Sequence, residues 1–474
     1  MSRVRDGIYG LCIGDALGVP AEFRDRASLR KSPITDMVGG GVHNQPAGTW
    51  SDDSSMALCL AASIAETGGI HTNDIMNRFM EWYGKGEYSP WGECFDCGHT
   101  VAQALSRYRA GTTAALCGGN KISDNGNGSL MRIFPMVYYV HLLDSVPGAD
   151  LTVSSRAMEL IHKVSGLTHR HPIAQSACGI YINIAARLLY GIGLEEAVGG
   201  GIRTSLAWYK RHDRFHCVES VWKKIEDIDA FRTIGEDEIK SGGYVVDTLQ
   251  AALWCLLNTT NYRDCVLKAV NMGDDPDTTA AVAGGLAGLV YGYEYMPDEW
   301  NDALKGKDVI EKSCVKLVEY WDSECEKSRA RSMSPFNVKT RQAVKLEKNI
   351  KNDFGAGIRF GDYIPFGGFS YDIKSFEHTK IKDYPGRDGY EVTQFSDGKG
   401  RFLVRLYKRI SSIGYGDGKT EEWHALYLMF EADIVNFNGI YCKGKDELIS
   451  ADLCEGLVEL PRELADVLLD MDTW

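Results

Sequence analysis

The sequence predicts an all-α domain over residues 1–330, a basic linker or helix at 331–352, and a smaller α+β domain at 353–474. Three observations carry this reading. Low-polarity stretches rich in Ala and Gly recur through the first 300 residues or so, and two of them open on clustered acids, as helix starts do. From Asp353 the pattern changes to short aromatic and aliphatic runs separated by Gly-rich turns, as in Gly400–Tyr407 and Trp423–Phe430, which is strand chemistry. Between the two parts lies a polar, basic stretch from Lys327 to Lys348, the composition of a solvated linker or helix face.

At 474 residues the chain is long for a single core. A net charge of -13 argues against a nucleic-acid backbone as the main partner. No clear signal peptide opens the chain and no stretch approaches the roughly 18 apolar residues of a membrane span, so a cytoplasmic protein with no membrane partner is expected. Thirteen scattered cysteines fit free thiols in a reducing compartment. Cys94-Phe95-Asp96-Cys97 is the only CxxC and lacks the strand and helix context of a redox motif.

In chain order, Val4–Gly18 reads as an apolar helix whose Gly7, Gly10, Gly14 and Gly18 suggest close packing. Its end, Gly14-Asp15-Ala16-Leu17-Gly18, follows no strand, so it is no dinucleotide fingerprint, and Asp15 is expected to make a structural hydrogen bond. Ser51-Asp52-Asp53-Ser54 then opens a helix through Ala65. One acid can cap a helix, but two adjacent carboxylates repel unless a cation neutralises them, and Ser51 adds a third oxygen. His71–Tyr83 reads as an amphipathic helix, and Val101–Arg109 as another with Asp96 as a candidate cap. Asp124-Asn125-Gly126-Asn127-Gly128-Ser129-Leu130-Met131-Arg132 is a Gly-rich turn in which backbone N–H groups and Arg132 could meet a phosphate. Thr168-His169-Arg170-His171-Pro172 leads into a small-residue helix to Leu189, and Glu195–Glu238 reads as charged, irregular, peripheral helices. After Ser241–Thr248 comes a helix to Leu257, with Tyr244 at its start. The second acidic start, Gly273-Asp274-Asp275-Pro276-Asp277-Thr278, is stiffened by Pro276 and runs into Ala- and Gly-rich residues. Asp308–Glu326 could close the domain, and Pro461 opens a last amphipathic helix.

Five carboxylates with Ser51 and Thr278, at two helix starts of the same chemistry, suit one or two Mg²⁺ ions. The pair Trp50-Ser51-Asp52-Asp53-Ser54 and Gly273-Asp274-Asp275-Pro276-Asp277-Thr278 resembles the two metal-binding signatures of the ADP-ribosylglycohydrolase family, and the stretches ending in Glu22, Asp96, Arg132 and Pro172 resemble its other motifs. The resemblance covers about the first 300 residues and implies an all-α ADP-ribosylglycohydrolase fold. It implies a hydrolase that removes ADP-ribose from an acceptor, most often arginine on a protein, or a small ADP-ribosylated substrate. Two Mg²⁺ would be held by Ser51, Asp52, Asp53, Asp275, Asp277 and Thr278, and Glu22, Asp53 and Asp96 would serve the chemistry. Gly126, Asn127, Gly128, Ser129, Met131, Arg132 and His169 would hold the nucleotide, and Tyr244, by its position, could stack on the adenine. Three positions depart from the family pattern: Ser51 for a common Thr, Pro276 between the two acids, and Asp274 for a common Gly. The competing class is an ADP-ribose-binding protein without turnover, or one that blocks an ADP-ribosyltransferase partner.

Overall fold

The computed structural model describes residues 3–144 and 153–333 and, beyond them, strand segments between Glu347 and Leu460. The chain divides into two compact units, Met1–Cys325 and Glu326–Trp474. The first is helical. Its helices are α1 Arg3–Gly18, α2 Arg26–Lys31, α3 Asp52–Thr67, α4 Thr72–Lys85, α5 His99–Arg109, α6 Met136–Asp144, α7 Ser155–Ser165 and α8 Pro172–Leu189. There follow α9 Leu194–Lys210, α10 Val218–Trp222, α11 Ile228–Arg232, α12 Val245–Leu257, α13 Tyr262–Val270, α14 Pro276–Tyr291, α15 Asp298–Ala303 and α16 Lys307–Met333.

Helix α1 lies against α14 along most of its length, and glycine makes this approach possible. A Cβ at Gly10 would fall 2.3 Å from the Gly284 carbonyl oxygen, one at Gly14 would fall 2.1 Å from that of Ala280, and one at Gly18 would fall 2.2 Å from the Asp277 Cα. Backbone therefore touches backbone, and the tight seam sets where the start of α14 sits relative to the end of α1. The Tyr262 hydroxyl of α13 donates to the Gly10 carbonyl at 2.7 Å across the same seam.

Trp50, Trp82, Trp222 and Trp300 are fully buried within one continuous core. Helix α16 closes on it through Ile310, Cys314 and Leu317, all buried, and through charged contacts on its outer turns. Glu311 accepts from Arg5 and from the Tyr9 hydroxyl, while Lys316 pairs with Glu66, which also pairs with Arg78.

Helix α9 is a helix as expected, but it is not peripheral. Its Ala197-Val198-Gly199-Gly200-Gly201-Ile202 run is buried against α8, where Gly201 lies on the Ile184 backbone. The charges that made the segment read as peripheral sit on its other face.

In the second unit the described residues form the end of α16 and ten strands: β1 Glu347–Asn352, β2 Tyr363–Phe366, β3 Phe369–Asp372, β4 Lys380–Pro385, β5 Tyr390–Ser396, β6 Arg401–Tyr415, β7 Gly418–Glu431, β8 Gly439–Cys442, β9 Glu447–Leu448 and β10 Leu457–Leu460. Five form a sheet in the order β1-β7-β6-β5-β4, all neighbours antiparallel, with β6 and β7 as its central hairpin. The helix expected from Pro461 lies outside the described residues, so the α+β assignment stays an expectation. No helix among the described residues is long and apolar enough to cross a membrane.

Candidate active site

The first acidic start is built by a residue thirty-six positions upstream. Asp15 on α1 is wholly buried and accepts from the Ser51 and Ser54 backbone N–H groups, each at 3.0 Å, and from the Ser54 hydroxyl at 2.5 Å. It therefore anchors the start of α3, as expected of a structural acid. Burial lifts its carboxyl to about 6 against the pull of those hydrogen bonds. Ser51 is the N-cap, its hydroxyl accepting from the Asp53 N–H at 3.3 Å. With capping done by Ser51 and Asp15, the Asp52 and Asp53 carboxylates are released for other work. Both are buried.

The second acidic start meets the first. Asp275 is the N-cap residue of α14, its carboxylate held by the Asn127 amide at 2.9 Å. The Thr278 hydroxyl donates to Asp53 Oδ1 at 3.4 Å, so the two motifs, 225 positions apart in sequence, share one contact. Asp277 is buried beside them on the Gly18 backbone. Burial first, and the neighbouring carboxylates second, push Asp52, Asp53 and Asp277 well above the ordinary carboxylate range. Asp275 is raised by burial too, with Asn127 and Thr278 opposing. Asp53 Oδ2 is buried with no hydrogen-bond partner. Uncompensated buried acids of this kind are costly unless a cation joins them. Their all-oxygen donor set, with a Ser and a Thr hydroxyl, fits a hard divalent cation. Asp274 is exposed with φ +63°, a left-handed backbone where glycine is at home and Asp is tolerated, and its role is in the main chain. Its N–H and C=O bond Arg24 and Phe23, tying this turn to the turn after Glu22.

Glu22 is 7% exposed and sits at the end of the α1 segment, where His43 Nε2 lies 2.5 Å from its Oε2. Ligand-type atoms of Glu22, His43 and Asp96 fall within 4.8 Å of one another. Burial, then the nearby Asp96 charge, moves the Glu22 carboxyl up to about 7, with His43 opposing. Asp96 does not cap α5, whose N-cap is Gly98. Instead its carboxylate faces Glu22. Cys94 and Cys97 are free thiols beside it, both raised by burial and then by Asp52.

On the other side, the Gly126 turn pairs with the Tyr244 backbone as a short antiparallel bridge, with Asn127 N–H donating to the Gly243 carbonyl at 3.0 Å. Tyr244 stands 40% exposed at its rim. The Asn127 amide also donates to the Thr248 hydroxyl at 3.0 Å, so one side chain joins the turn, α12 and the acid cluster. Gly128 has no room for a side chain, since a Cβ would lie 2.9 Å from His169 Cε1. His169 is buried and kept neutral, its pKa pushed down to about 3 by burial and then by Arg132. Ser129 and Met131 are buried behind the turn, with Ser129 accepting from the Ser165 hydroxyl at 2.9 Å.

Arg132 departs from its expected place at a phosphate. It is wholly buried, donates to the Thr168 hydroxyl at 2.8 Å and the Val164 carbonyl at 3.2 Å, and lies over the Phe79 ring. The turn after Met131 directs it inward, and burial lowers its pKa to about 10. It props the His169 segment from behind: Thr168 Oγ1 is bonded to Arg132 on one side and to His169 Nδ1, at 2.9 Å, on the other.

His43 and Asn127's threefold bonding were not readable in advance. The only trace of His43 is the run Gly39-Gly40-Gly41, which marks a tight turn without saying what it presents.

The family model described as ADP-ribosylglycohydrolase matches residues 1–327. An ADP-ribosylarginine hydrolase Tri1 of Pseudomonas putida (strain GB-1) is 34% identical over 324 residues, which is 67% of this chain and 78% of that one. An ADP-ribosyl-dinitrogen reductase glycohydrolase of Rhodospirillum rubrum is 29% identical over 320 residues, 67% of this chain and 94% of its own. A solved structure titled ADP-ribosylglycohydrolase-related protein complex is similar with a TM-score of 0.54 at 29% identity, covering 67% of this chain and 98% of that one. The match of the family model over residues 1–327, together with these likenesses, places the chain in the ADP-ribosylglycohydrolase family.

Proposed function

We propose that this hydrolase releases ADP-ribose from an arginine side chain of a modified protein, and that it does so with two Mg²⁺ ions. The observation that carries the reading is the meeting of the two acidic starts around the orphaned Asp53 Oδ2. Ser51, Asp52, Asp53, Asp275, Asp277 and Thr278 would hold the ions. When bound, they neutralise these acids and lower the pKa of a water.

The residues of the chain divide the remaining work. The bond from ribose C1″ to the guanidine nitrogen breaks through an oxocarbenium-like sugar, which needs a proton for the leaving group and a base for water. Glu22, with its carboxyl at about 7, can give or take that proton at neutral pH. Asp96 faces Glu22 on the acceptor side, where a guanidinium would pair with its carboxylate. The turn from Gly126 to Ser129 would take the diphosphate, and neutral His169 and the rim Tyr244 the nucleoside. Arg132 acts from behind through Thr168. The strand-rich second unit we read as an accessory α+β domain.

The test is release of ADP-ribose by the full chain, with Mg²⁺, from arginine-linked, serine-linked and other O-linked substrates. Arginine-linked ADP-ribose is expected to turn over fastest. Faster release from serine would overturn the acceptor assignment, and no release from any of them the hydrolase reading.

A further inference from the structure

We infer that His43 is a positioning residue for Glu22, holding one carboxylate oxygen so that the other is presented to the reacting proton. The inference rests on the catalytic reading of Glu22 above. His43 Nε2 lies 2.5 Å from Glu22 Oε2, and an Asp96 carboxylate oxygen lies within 4.8 Å of the ligand-type atoms of both. A like charge so near would drive an unrestrained Glu22 away from Asp96 and out of the site. The imidazole N–H counters that push with a directed bond, leaving Oε1 for the chemistry.

The segment bearing His43 is built for this placement. Gly40 and Gln45 exchange backbone hydrogen bonds at 2.7 and 3.2 Å, closing a tight loop with His43 near its tip. Gly41 has φ +70° and lies on the Pro20 backbone, two residues before Glu22, so close that a Cβ would be 2.7 Å from Pro20 Cα. Asn44 is also left-handed, with φ +50°. The imidazole packs against Phe95, with ring centroids 5.3 Å apart, and Phe23 at 6.4 Å. Phe95, the nearer of the two rings, and the bond to Glu22 restrict the imidazole's rotamer. Phe23 and Phe95 flank Glu22 and Asp96 in sequence, so one small cluster holds both acids.

Two variants separate the roles. His43→Phe keeps a ring beside Phe95 but removes the N–H, whereas His43→Gln keeps an N–H that can reach Oε2. We expect His43→Phe to lower kcat by about 10- to 100-fold with KM changed less than about twofold and the melting temperature nearly unchanged. His43→Gln should recover most of that loss. Mg²⁺ affinity by calorimetry should stay at the wild-type value in both. Wild-type kcat in His43→Phe, a His43→Gln as slow as His43→Phe, or a loss of Mg²⁺ affinity that accounts for the slower rate would each overturn the inference. If His43→Phe does not fold, His43→Ala gives the same comparison, with added imidazole expected to restore rate and failure to do so counting against the inference. Glu22→Gln in the same assay keeps the two readings apart. A fully active Glu22→Gln removes the catalytic role of Glu22 and this inference with it, while a dead Glu22→Gln beside a normal His43→Phe removes the inference alone.

Discussion

Replacing Gly14 by Ala places a methyl group 2.1 Å from the Ala280 carbonyl oxygen, in the seam between α1 and α14. An ordinary carbon–oxygen contact is about 3.4 Å, so one helix must move by about 1.3 Å. The obstacle is backbone and cannot rotate away. In an isolated helix the change would stabilise by about 1 kcal/mol, because Ala is the better helix former. Overpacking costs typically about 1–3 kcal/mol, and an immovable carbonyl puts this site at the upper end, for a net loss of about 2 kcal/mol. For a unit spanning Met1–Cys325 that lowers Tm by about 3 °C. Because Ala280 follows Thr278 by two residues, the shift carries Asp277 and Thr278 with it, and about 100-fold in kcat is expected to go as well. Gly84→Ala is the control: that glycine is exposed in α4 with no atom in the way, and should gain up to about 1 kcal/mol with unchanged activity. Thermal melts and ADP-ribose release on the two variants check both. A Gly14→Ala chain as stable and as active as wild type would refute the claim that the seam positions the site.

In EDTA, Tm should fall as pH rises between about 6.5 and 8, since Glu22 at about 7, with Asp52, Asp53 and Asp277 held well above the carboxylate range, makes the folded chain bind more protons than the unfolded one there, the buried neutral His162 and His169 acting in the opposite sense only below about 6.5. Saturating Mg²⁺ should flatten the slope, and a Tm that climbs with pH in EDTA would contradict the buried-acid account. Arg132→Ala should destabilise by about 3 kcal/mol, through a cavity under Phe79 and lost bonds to Thr168 and Val164. Calorimetry that instead finds weaker ADP-ribose binding at an unchanged melting temperature would restore it to the phosphate. A chain truncated after Ser334 should fold and keep hydrolysis of a small ADP-ribosylated substrate, while losing any contact the tail makes with a protein target. Insolubility, or inactivity on the small substrate, would put the tail inside the catalytic unit.

The helices were legible because their signals are local. The apolar run after Ser51-Asp52-Asp53 and the Ala/Gly run after Asp275-Pro276-Asp277 each declare a start and a buried face, and both helices appear. The glycines of α1 announced close packing, although only the fold names the partner as α14. Long-range side-chain direction was not legible. Arg132 follows a phosphate-type turn, yet the chain reverses there and sends its guanidinium into the core. The pairing of Glu22 with His43 depends on a loop closing across Pro20, which no spacing in the sequence reports. Helix α9 was misread because exposed charges at its start and end outweighed the buried Gly199-Gly200-Gly201 run between them.

The central claim is that two distant acidic helix starts form one catalytic metal site. Turnover of arginine-linked ADP-ribose by Asp53→Asn and Asp275→Asn, at saturating Mg²⁺ and with the fold checked by circular dichroism, tests it most directly. Each substitution removes one negative charge from the shared cluster while keeping size and helix start. The account predicts folded proteins with turnover lost in both, whereas wild-type rates in either would contradict it.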